Sequence, residues 1–171
     1  MSLRLTTRCC LALLCLLGMA AQAAPPALPD QFGNEDSLGN YPGESVLAIV
    51  VNVRKLRWVG KWEAALRKEM PGLLSIRVAD ITDQPPPEQD KIVELLQKRV
   101  PPNVPILIDM SNTWATTYEL DTDEPCLLLF DADHNVVAQF RGRPKGKLKD
   151  EVQTALGQYF TNDTAEPEPA S

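Results

Sequence analysis

The sequence predicts an α/β fold in which a mixed β-sheet carries helices on both faces. Continuous apolar runs, typical of strands covered on both sides, alternate along the chain with segments whose apolar residues recur at helical spacing. The alternation ends in two apolar runs separated by a short polar turn, which indicates an antiparallel hairpin, and one further helical segment follows. The predicted order is therefore β-α-β-α-β-α-β-β-α.

The first half of this domain contains two strands and two helices. The run SVLAIVVNV (45–53) predicts a buried strand, and Pro71-Gly72 ends the helix that follows it. LLSIRVADI (73–81) predicts a second buried strand, and a second helix lies between the prolines at 85–87 and Pro101-Pro102. The apolar stripes of the two helices are Trp58, Trp62, Ala65, Leu66 and Met70, and then Ile92, Leu95, Leu96 and Val100.

The second half begins with a third apolar strand, VPILIDM (104–110). A short helix follows, with Ser111 as the candidate N-cap and Trp114 and Tyr118 facing inward. CLLLFD and VVAQFR flank the polar turn ADHN and predict the hairpin. The apolar face of the last helix consists of Leu148, Val152, Ala155, Leu156 and Tyr159.

The N-terminus has the pattern of a cleavable export signal, which we assign to residues 1–23. Arg4 and Arg8 precede the apolar run LALLCLLGMAA, which is too short to span a bilayer, and Ala21-Gln22-Ala23 provides a small-x-small cleavage site. We therefore expect a periplasmic or secreted protein with no stable membrane insertion after cleavage.

Three segments follow the signal. Residues 24–44 are rich in Pro, Gly and Asn and predict a linker or an irregular lead-in. Residues 45–160 form the folded domain, and the polar acidic tail 161–171 is expected to be disordered because it cannot bury an apolar face.

Cysteine usage and charge exclude several function classes. Of the four cysteines, only Cys126 lies outside the signal segment, and the sequence contains no C-x-x-C and a single histidine. Thiol-disulfide exchange through a cysteine pair and Cys/His zinc binding therefore both lack their residues. The net charge of −6, which becomes more negative when the signal is removed, argues against nucleic-acid binding. We expect no cofactor.

The turn DADHN (131–135) has oxygen-bearing side chains at alternating positions, like the start of a calcium loop. An EF-hand needs glycine at its sixth position and glutamate at its twelfth, where this chain has Val136 and Gly142. We therefore predict a hairpin turn here and no metal site.

The segment from Val104 to Leu156 resembles the C-terminal half of the thioredoxin-like superfamily. The matching features are PILIDM, TYEL, EPCLLLFD, DADHNVV, the Arg-Gly that closes the hairpin, and KGKLKDEVQTAL. By element order the resemblance extends over roughly residues 45 to 158. The most similar branch is that of exported thiol-disulfide interchange and peroxiredoxin-like proteins, which insert an extra helix and strand before the third core helix.

This resemblance implies a site and also shows what this chain lacks. The family's catalytic cysteines lie where the first core strand meets its helix, and Trp58 and Lys61 fall at those places here. The family's chemistry therefore does not carry over. The resemblance also implies that Pro125 follows a cis peptide bond and faces that turn across a groove that receives an extended substrate segment.

Cys126 has two interpretations. Free cysteine is among the most buried residue types, and the neighbouring Glu124 and Leu127–Leu129 would raise the pKa of its thiol. We therefore interpret Cys126 as a core residue. The alternative is a catalytic thiol, which would make the protein a single-cysteine thiol oxidoreductase or a peroxidase-like antioxidant protein.

Six basic residues and one acid occur between residues 54 and 68 of an otherwise acidic chain. At the N-terminus of a helix such a cluster can receive an anionic group, although a charge run is more commonly a solvated face. Trp58 favours a binding surface, since exposed Trp and Arg are typical interface anchors, but it also shares the apolar stripe of the helix. The candidate binding residues are Arg54, Lys55, Arg57, Trp58, Lys61, Glu124 and Pro125.

The sequence thus favours an exported, redox-inactive, thioredoxin-like domain. We expect it to act as a protein- or peptide-binding or accessory module in the cell envelope, with an envelope protein or peptide as its partner.

Overall fold

The computed structural model describes residues 27–160. The predicted export signal (1–23) and the predicted acidic tail (161–171) lie outside the described residues. The elements, in chain order, are β1 Leu28–Pro29, β2 Glu35–Asp36, β3 Val46–Asn52, α1 Arg57–Arg67, β4 Ser75–Asp80, α2 Pro86–Arg99, β5 Leu107–Asp109, α3 Thr113–Thr117, β6 Cys126–Phe130, β7 Val136–Arg141 and α4 Gly146–Phe160.

The central sheet has five strands in the order β5-β4-β3-β6-β7. Strands β3, β4 and β5 run parallel, while β6 pairs antiparallel with both β3 and β7. The predicted mixed sheet flanked by helices, and the order of its elements from β3 to α4, are therefore confirmed. Helix α2 and strand β5 occupy the place of the expected insertion, before α3.

Every residue of β3 is buried, because the strand is covered on both faces. Val46, Ala48 and Val50 face α3 and part of the segment before the sheet. The alternate residues of the strand face α1 and α4, and α2 covers the same face further along the sheet. The period-2 alternation of side chains in a strand therefore divides one apolar run between two cores.

The segment 27–44, which the sequence left open as a linker or an irregular lead-in, packs against the domain. Strands β1 and β2 form a two-stranded ribbon, and Asp30 bridges to Leu107 at the free edge of β5. The buried amide of Gln31 donates to the Val104 carbonyl at 3.1 Å and accepts from the Ile106 amide at 2.8 Å. These bonds cover the edge of the sheet, which would otherwise present unpaired backbone groups.

The N-cap predicted for α3 is wrong. Asn112, in the left-handed region at φ 59°, stands at the cap position, and no side chain there caps the helix. The buried Asp109 replaces it, because its carboxylate accepts from the backbone N–H of Ser111 (3.1 Å), Thr113 (2.9 Å) and Trp114 (2.8 Å). A carboxylate at the end of β5 supplies the acceptor that a Ser111 cap would have supplied.

The ADHN segment forms the hairpin turn that the sequence predicted. The Asp131 carboxylate accepts from the backbone N–H of Asp133 (3.0 Å) and Asn135 (2.8 Å), and His134 lies at φ 62°. The side-chain oxygens of Asp131 are therefore used inside the turn. Among residues 27–160, no group of three or more His, Cys, Asp or Glu side chains is arranged to hold a metal ion.

Candidate functional site

The candidate site is the turn that joins β3 to α1, residues 52–61, which we call the α1 turn. Asn52 ends the strand, and its side-chain oxygen accepts from the backbone N–H of Arg54 at 3.0 Å. A single 3₁₀ turn, Val53–Lys55, then leads into α1, whose first turn contains no acidic residue. The basic side chains of Arg54, Arg57 and Lys61 are exposed near the N-terminus of α1. Their charges and the positive end of the helix dipole both make the electrostatic potential at this surface positive.

Trp58 is a core residue rather than an exposed anchor. It is only 7% exposed, and its Nε1 has no hydrogen-bond partner among the described residues. Three cations surround its indole ring: Lys61 Nζ lies 4.3 Å from the ring centroid, Arg143 Cζ 4.8 Å and Arg57 Cζ 5.6 Å. The negative face of an indole attracts cations at such distances. Trp58 therefore holds positive charge at the surface while remaining almost covered itself.

The second part of the site is the loop before β6, residues 121–125, which we call the proline loop. The expectation of a cis bond before Pro125 is wrong, because residues 27–160 contain no cis peptide bond. The trans isomer is the one that an X-Pro bond favours by about 0.5–1 kcal/mol. The loop makes its contacts with the bond in that state, including a hydrogen bond from the Gly142 N–H to the carbonyl of the buried Pro125 at 2.8 Å.

Arg143 joins the two parts, although it was not among the predicted site residues. Its guanidinium forms two bonds to the Glu124 carboxylate, Nε to Oε2 at 3.2 Å and Nη2 to Oε1 at 3.0 Å, and also lies over Trp58. This hydrogen bonding is the main reason that the pKa of Glu124 is lowered, and Lys55 and Arg141 act in the same direction. The pairing of β6 with β7 could have identified Arg143, since the Cys126–Arg141 register continues to Glu124 opposite Arg143.

Gly142 fixes the proline loop to α1. Its N–H donates to Pro125, and its carbonyl accepts from Trp62 Nε1 at 2.9 Å. Its φ is +133°, and a Cβ at this position would lie 2.8 Å from Leu148 Cδ2. Only glycine adopts this backbone conformation without strain, so the Arg-Gly that closes the hairpin has a structural role.

The structure brings some of the predicted residues together and separates others. Arg143 contacts Trp58 and Glu124, Lys61 lies over the same Trp58 ring, and the charge of Lys55 acts on Glu124. Pro125 is held next to them by its bond from Gly142. Arg54 instead pairs with Asp83, Nη1 to Oδ2 at 3.3 Å, toward α2. The groove expected between the α1 turn and the proline loop is thus bridged by the Glu124–Arg143 ion pair.

Cys126 lies under the proline loop and is only 1% exposed. Its Sγ donates to the carbonyl oxygens of Asp121 at 3.3 Å and Glu124 at 3.5 Å. Burial raises the pKa of the thiol to about 11, and the nearby Arg141 only partly opposes this shift. At neutral pH the sulfur is therefore a protonated, covered thiol, and a thiol in that state is a poor nucleophile.

A row of polar residues at the ends of the parallel strands was not predicted as a feature. Asn52, Asp80 and Asp109 stand side by side in register, all buried. The Asp80 carboxylate accepts from the backbone N–H of Thr82 at 2.9 Å and from the Thr122 hydroxyl at 2.7 Å. As with Asn52 and Asp109, these oxygens serve to hold loops. Through Thr122, this row positions the proline loop.

Among the described residues, none of the helices has the length and apolar character needed to cross a membrane. No family model matches the sequence, and comparison with curated proteins finds no match.

Solved structures do match over most of the chain. An exposed lipoprotein thioredoxin, Etrx1, from Streptococcus pneumoniae aligns with a TM-score of 0.60 at 16% identity, covering 78% of this chain and 100% of its own. Yeast Sco1 aligns with a TM-score of 0.59 at 15% identity, covering 85% and 97%. A putative thiol:disulfide interchange protein DsbE from Chlorobium tepidum aligns with a TM-score of 0.54 at 19% identity, covering 82% and 94%.

At these identities the likeness establishes the fold alone. The mixed five-stranded sheet, the helices on its two faces and the coverage of 94–100% of the neighbours' chains agree with what the sequence features from Val104 to Leu156 indicated. This chain has the thioredoxin-like fold.

Proposed function

We propose that this protein is an exported, redox-inactive, thioredoxin-like module that binds a protein or peptide partner, or assists one, in the cell envelope. The observation that carries the proposal is the state of Cys126, the one thiol among residues 27–160. It is covered, it donates to two backbone carbonyls, and its pKa is about 11. A catalytic thiol needs the opposite environment, because the thiolate is the reacting species.

The α1 turn supports a binding role. The chain carries a net charge of −6, yet Lys55, Arg57, Lys61 and Arg143 gather around Trp58 and the N-terminus of α1. Of these four, only Arg143 forms an ion pair within the described residues, with Glu124. The remaining cations are available to acidic groups of a partner, so association should weaken as salt rises.

Export is part of the proposal and is supported by the sequence of residues 1–23. Basic residues, a short apolar run and a small-x-small site occur there in the order of a cleavable signal. An oxidising compartment would also be compatible with a folded domain whose single thiol is covered.

Redox inactivity is tested by the reduction of insulin by dithiothreitol. We expect the purified protein to leave the rate at the uncatalysed value, and Cys126→Ser to behave identically. Turnover by the wild type that disappears in Cys126→Ser would assign catalysis to this thiol and refute the proposal.

The binding role is tested by site-specific photocrosslinking in the exporting cell. A photoreactive phenylalanine analogue replaces Lys61 in one variant. In the control it replaces Lys68, which is exposed and directly follows the last residue of the same helix. We expect a discrete crosslinked species from position 61 that is lost at high salt or with Arg57→Glu, and none from position 68. Equal products from both positions would mean that the α1 turn is a solvated face.

A further inference from the structure

An apolar depression lies between the α1 turn and α2. Its volume is about 400 Å³, within the range of ligand-binding pockets in proteins. Val53 and Leu56 form one wall, and Ile92, Leu96 and Val100 form the other. Leu95 stands at its rim with 44% of its surface exposed, which makes it one of three large apolar side chains so exposed among residues 27–160.

The charged residues that line this depression are both arginines. Arg54 and Arg99 are the only ionisable residues that line it. Arg99 is exposed and forms no ion pair within residues 27–160, while Arg54 is paired with Asp83 but keeps 65% of its side chain exposed. In a chain of net charge −6, an apolar floor with two arginines at its rim is complementary to an apolar ligand that carries carboxylates.

A second depression, of about 340 Å³, continues the first, because Leu56 and Val100 line both. Glu63 and Arg77 lie in it and neutralise each other, Arg77 Nε lying 2.6 Å from Glu63 Oε1. The remaining charged residue is Arg57, which also borders the Trp58 ring. The two depressions thus form one elongated groove, which we call the α1–α2 groove, with an arginine at intervals along it.

We propose that the α1–α2 groove binds a peptide segment of a partner protein in which large apolar residues are interspersed with acidic ones. The apolar side chains leave water against Leu56, Leu95 and Val100, and the carboxylates bind Arg54, Arg57 and Arg99. The elongated shape favours a chain segment over a compact small molecule, which would fill one depression and leave the other empty.

This inference rests on the proposed binding role and extends it. Trp58 is covered, so the cationic cluster of the α1 turn offers little apolar surface of its own. The groove supplies that surface next to the cluster, and Arg57 belongs to both. A partner that uses both would place its apolar residues in the groove and further acidic residues on Lys61.

The test is selection of a random peptide library, displayed on phage, against the purified protein. We expect enriched sequences that contain at least two large apolar residues and at least two Asp or Glu. A synthetic peptide of the most enriched sequence is then titrated against variants. Leu95→Ser and Arg99→Ala should each weaken binding at least five-fold, since both residues are exposed and neither substitution disturbs the core.

Matched controls are Met110→Ser, whose side chain is 45% exposed at the end of β5, and Lys68→Ala at the end of α1; neither should change the affinity. The inference is overturned if nothing is enriched, if the enriched peptides lack acidic residues, or if Leu95→Ser and Arg99→Ala bind as the wild type does. Binding of decanoate alone would assign the groove to a small amphiphile instead. Self-association that Leu95→Ser abolishes would assign it to a second copy of the chain.

The Lys61→Glu variant separates this inference from the proposed function. Loss of peptide binding in Lys61→Glu with no effect of Leu95→Ser or Arg99→Ala would refute the groove and retain the α1 turn. Loss in the two groove variants with no effect of Lys61→Glu would retain the groove and refute the role of the turn.

Discussion

At the scale of single residues, the position of each polar group decides what it does. Trp58 and Cys126 are residue types that often mark binding or catalysis. Here Trp58 is buried beneath the cations that contact its ring, and Cys126 is buried under the proline loop. Arg143, by contrast, belongs to no motif, yet it links Glu124 to Trp58. Residue type alone therefore does not show which of these positions take part in binding or catalysis, because the burial of a side chain and its hydrogen-bond and charge partners determine its chemistry.

The state of Cys126 leads to a prediction about its alkylation. A pKa of about 11, against the usual value of 9.0, lowers the thiolate fraction at pH 7 by about 100-fold, and burial slows the reagent further. In a variant with Cys9, Cys10 and Cys15 replaced by Ser, iodoacetamide should react more than 100-fold more slowly with native than with urea-unfolded protein. The native rate should keep rising with pH up to about 11.

Rapid alkylation of the native protein at pH 7, or a native rate that levels off near pH 9, would contradict this environment. The unfolded protein serves as the control, since its thiol has the ordinary pKa and full access to the reagent.

At the scale of elements, loops in this fold are held by side chains at the ends of the parallel strands. Asn52, Asp80 and Asp109 each bond the segment that follows their own strand, and Asp80 also reaches the proline loop through Thr122. The ends of parallel strands often supply catalytic or ligand-binding side chains in α/β proteins. Here the carboxylate oxygens of Asp80 and Asp109 accept hydrogen bonds from donors within the protein itself.

The five-residue helix α3 depends on one of these carboxylates. Asp109→Ala would leave three backbone N–H groups without their acceptor, and we expect a loss of about 2–4 kcal/mol in the free energy of unfolding. Asp109→Asn keeps one oxygen and should lose less. Urea denaturation followed by circular dichroism measures both.

The control is Asp90→Ala on the exposed face of α2, which should change the stability by less than about 0.5 kcal/mol. An equal loss for the Asp109 and Asp90 variants would show that the carboxylate at the end of β5 does not hold α3.

At the scale of the whole molecule, the thioredoxin-like fold is present without a cysteine pair at the turn where the resemblance places one. If Trp58 and Lys61 occupy those places, replacing both by cysteine should restore a redox-active pair. Residues three apart on a helix have Cβ atoms about 5–6 Å apart, which lies within reach of a disulfide after small adjustments. The helix dipole and the basic neighbours should lower the pKa of the new thiols.

In a Cys126→Ser background, we therefore expect Trp58→Cys with Lys61→Cys to form a disulfide and to accelerate insulin reduction at least several-fold over the wild type. The matched control places the same pair at the other end of α1, as Ala64→Cys with Arg67→Cys. Circular dichroism verifies that both variants fold. Equal activity of the two pairs, or none from the first, would show that the α1 turn does not correspond to the family's catalytic turn.

The sequence by itself determined the architecture of this protein. The buried strands are rich in apolar residues, and Pro71-Gly72 and Pro101-Pro102 follow the ends of the helices, so the order of elements could be derived from local patterns. The motifs from Val104 to Leu156 then identified the fold, and the low expected reactivity of Cys126 followed from its apolar neighbours. These properties depend on residues close together in the chain.

Only the tertiary structure decided the site. Its features depend on contacts between segments that are far apart in the sequence. These features are the trans bond before Pro125, the burial of Trp58, the ion pair of Arg54 with Asp83 and the contacts of Arg143 with Glu124 and Trp58. The α1–α2 groove is likewise formed by two elements whose separation and angle no local pattern specifies. Periodicity reports which residues of an element face inward, whereas a site depends on which elements meet and on where their exposed side chains end.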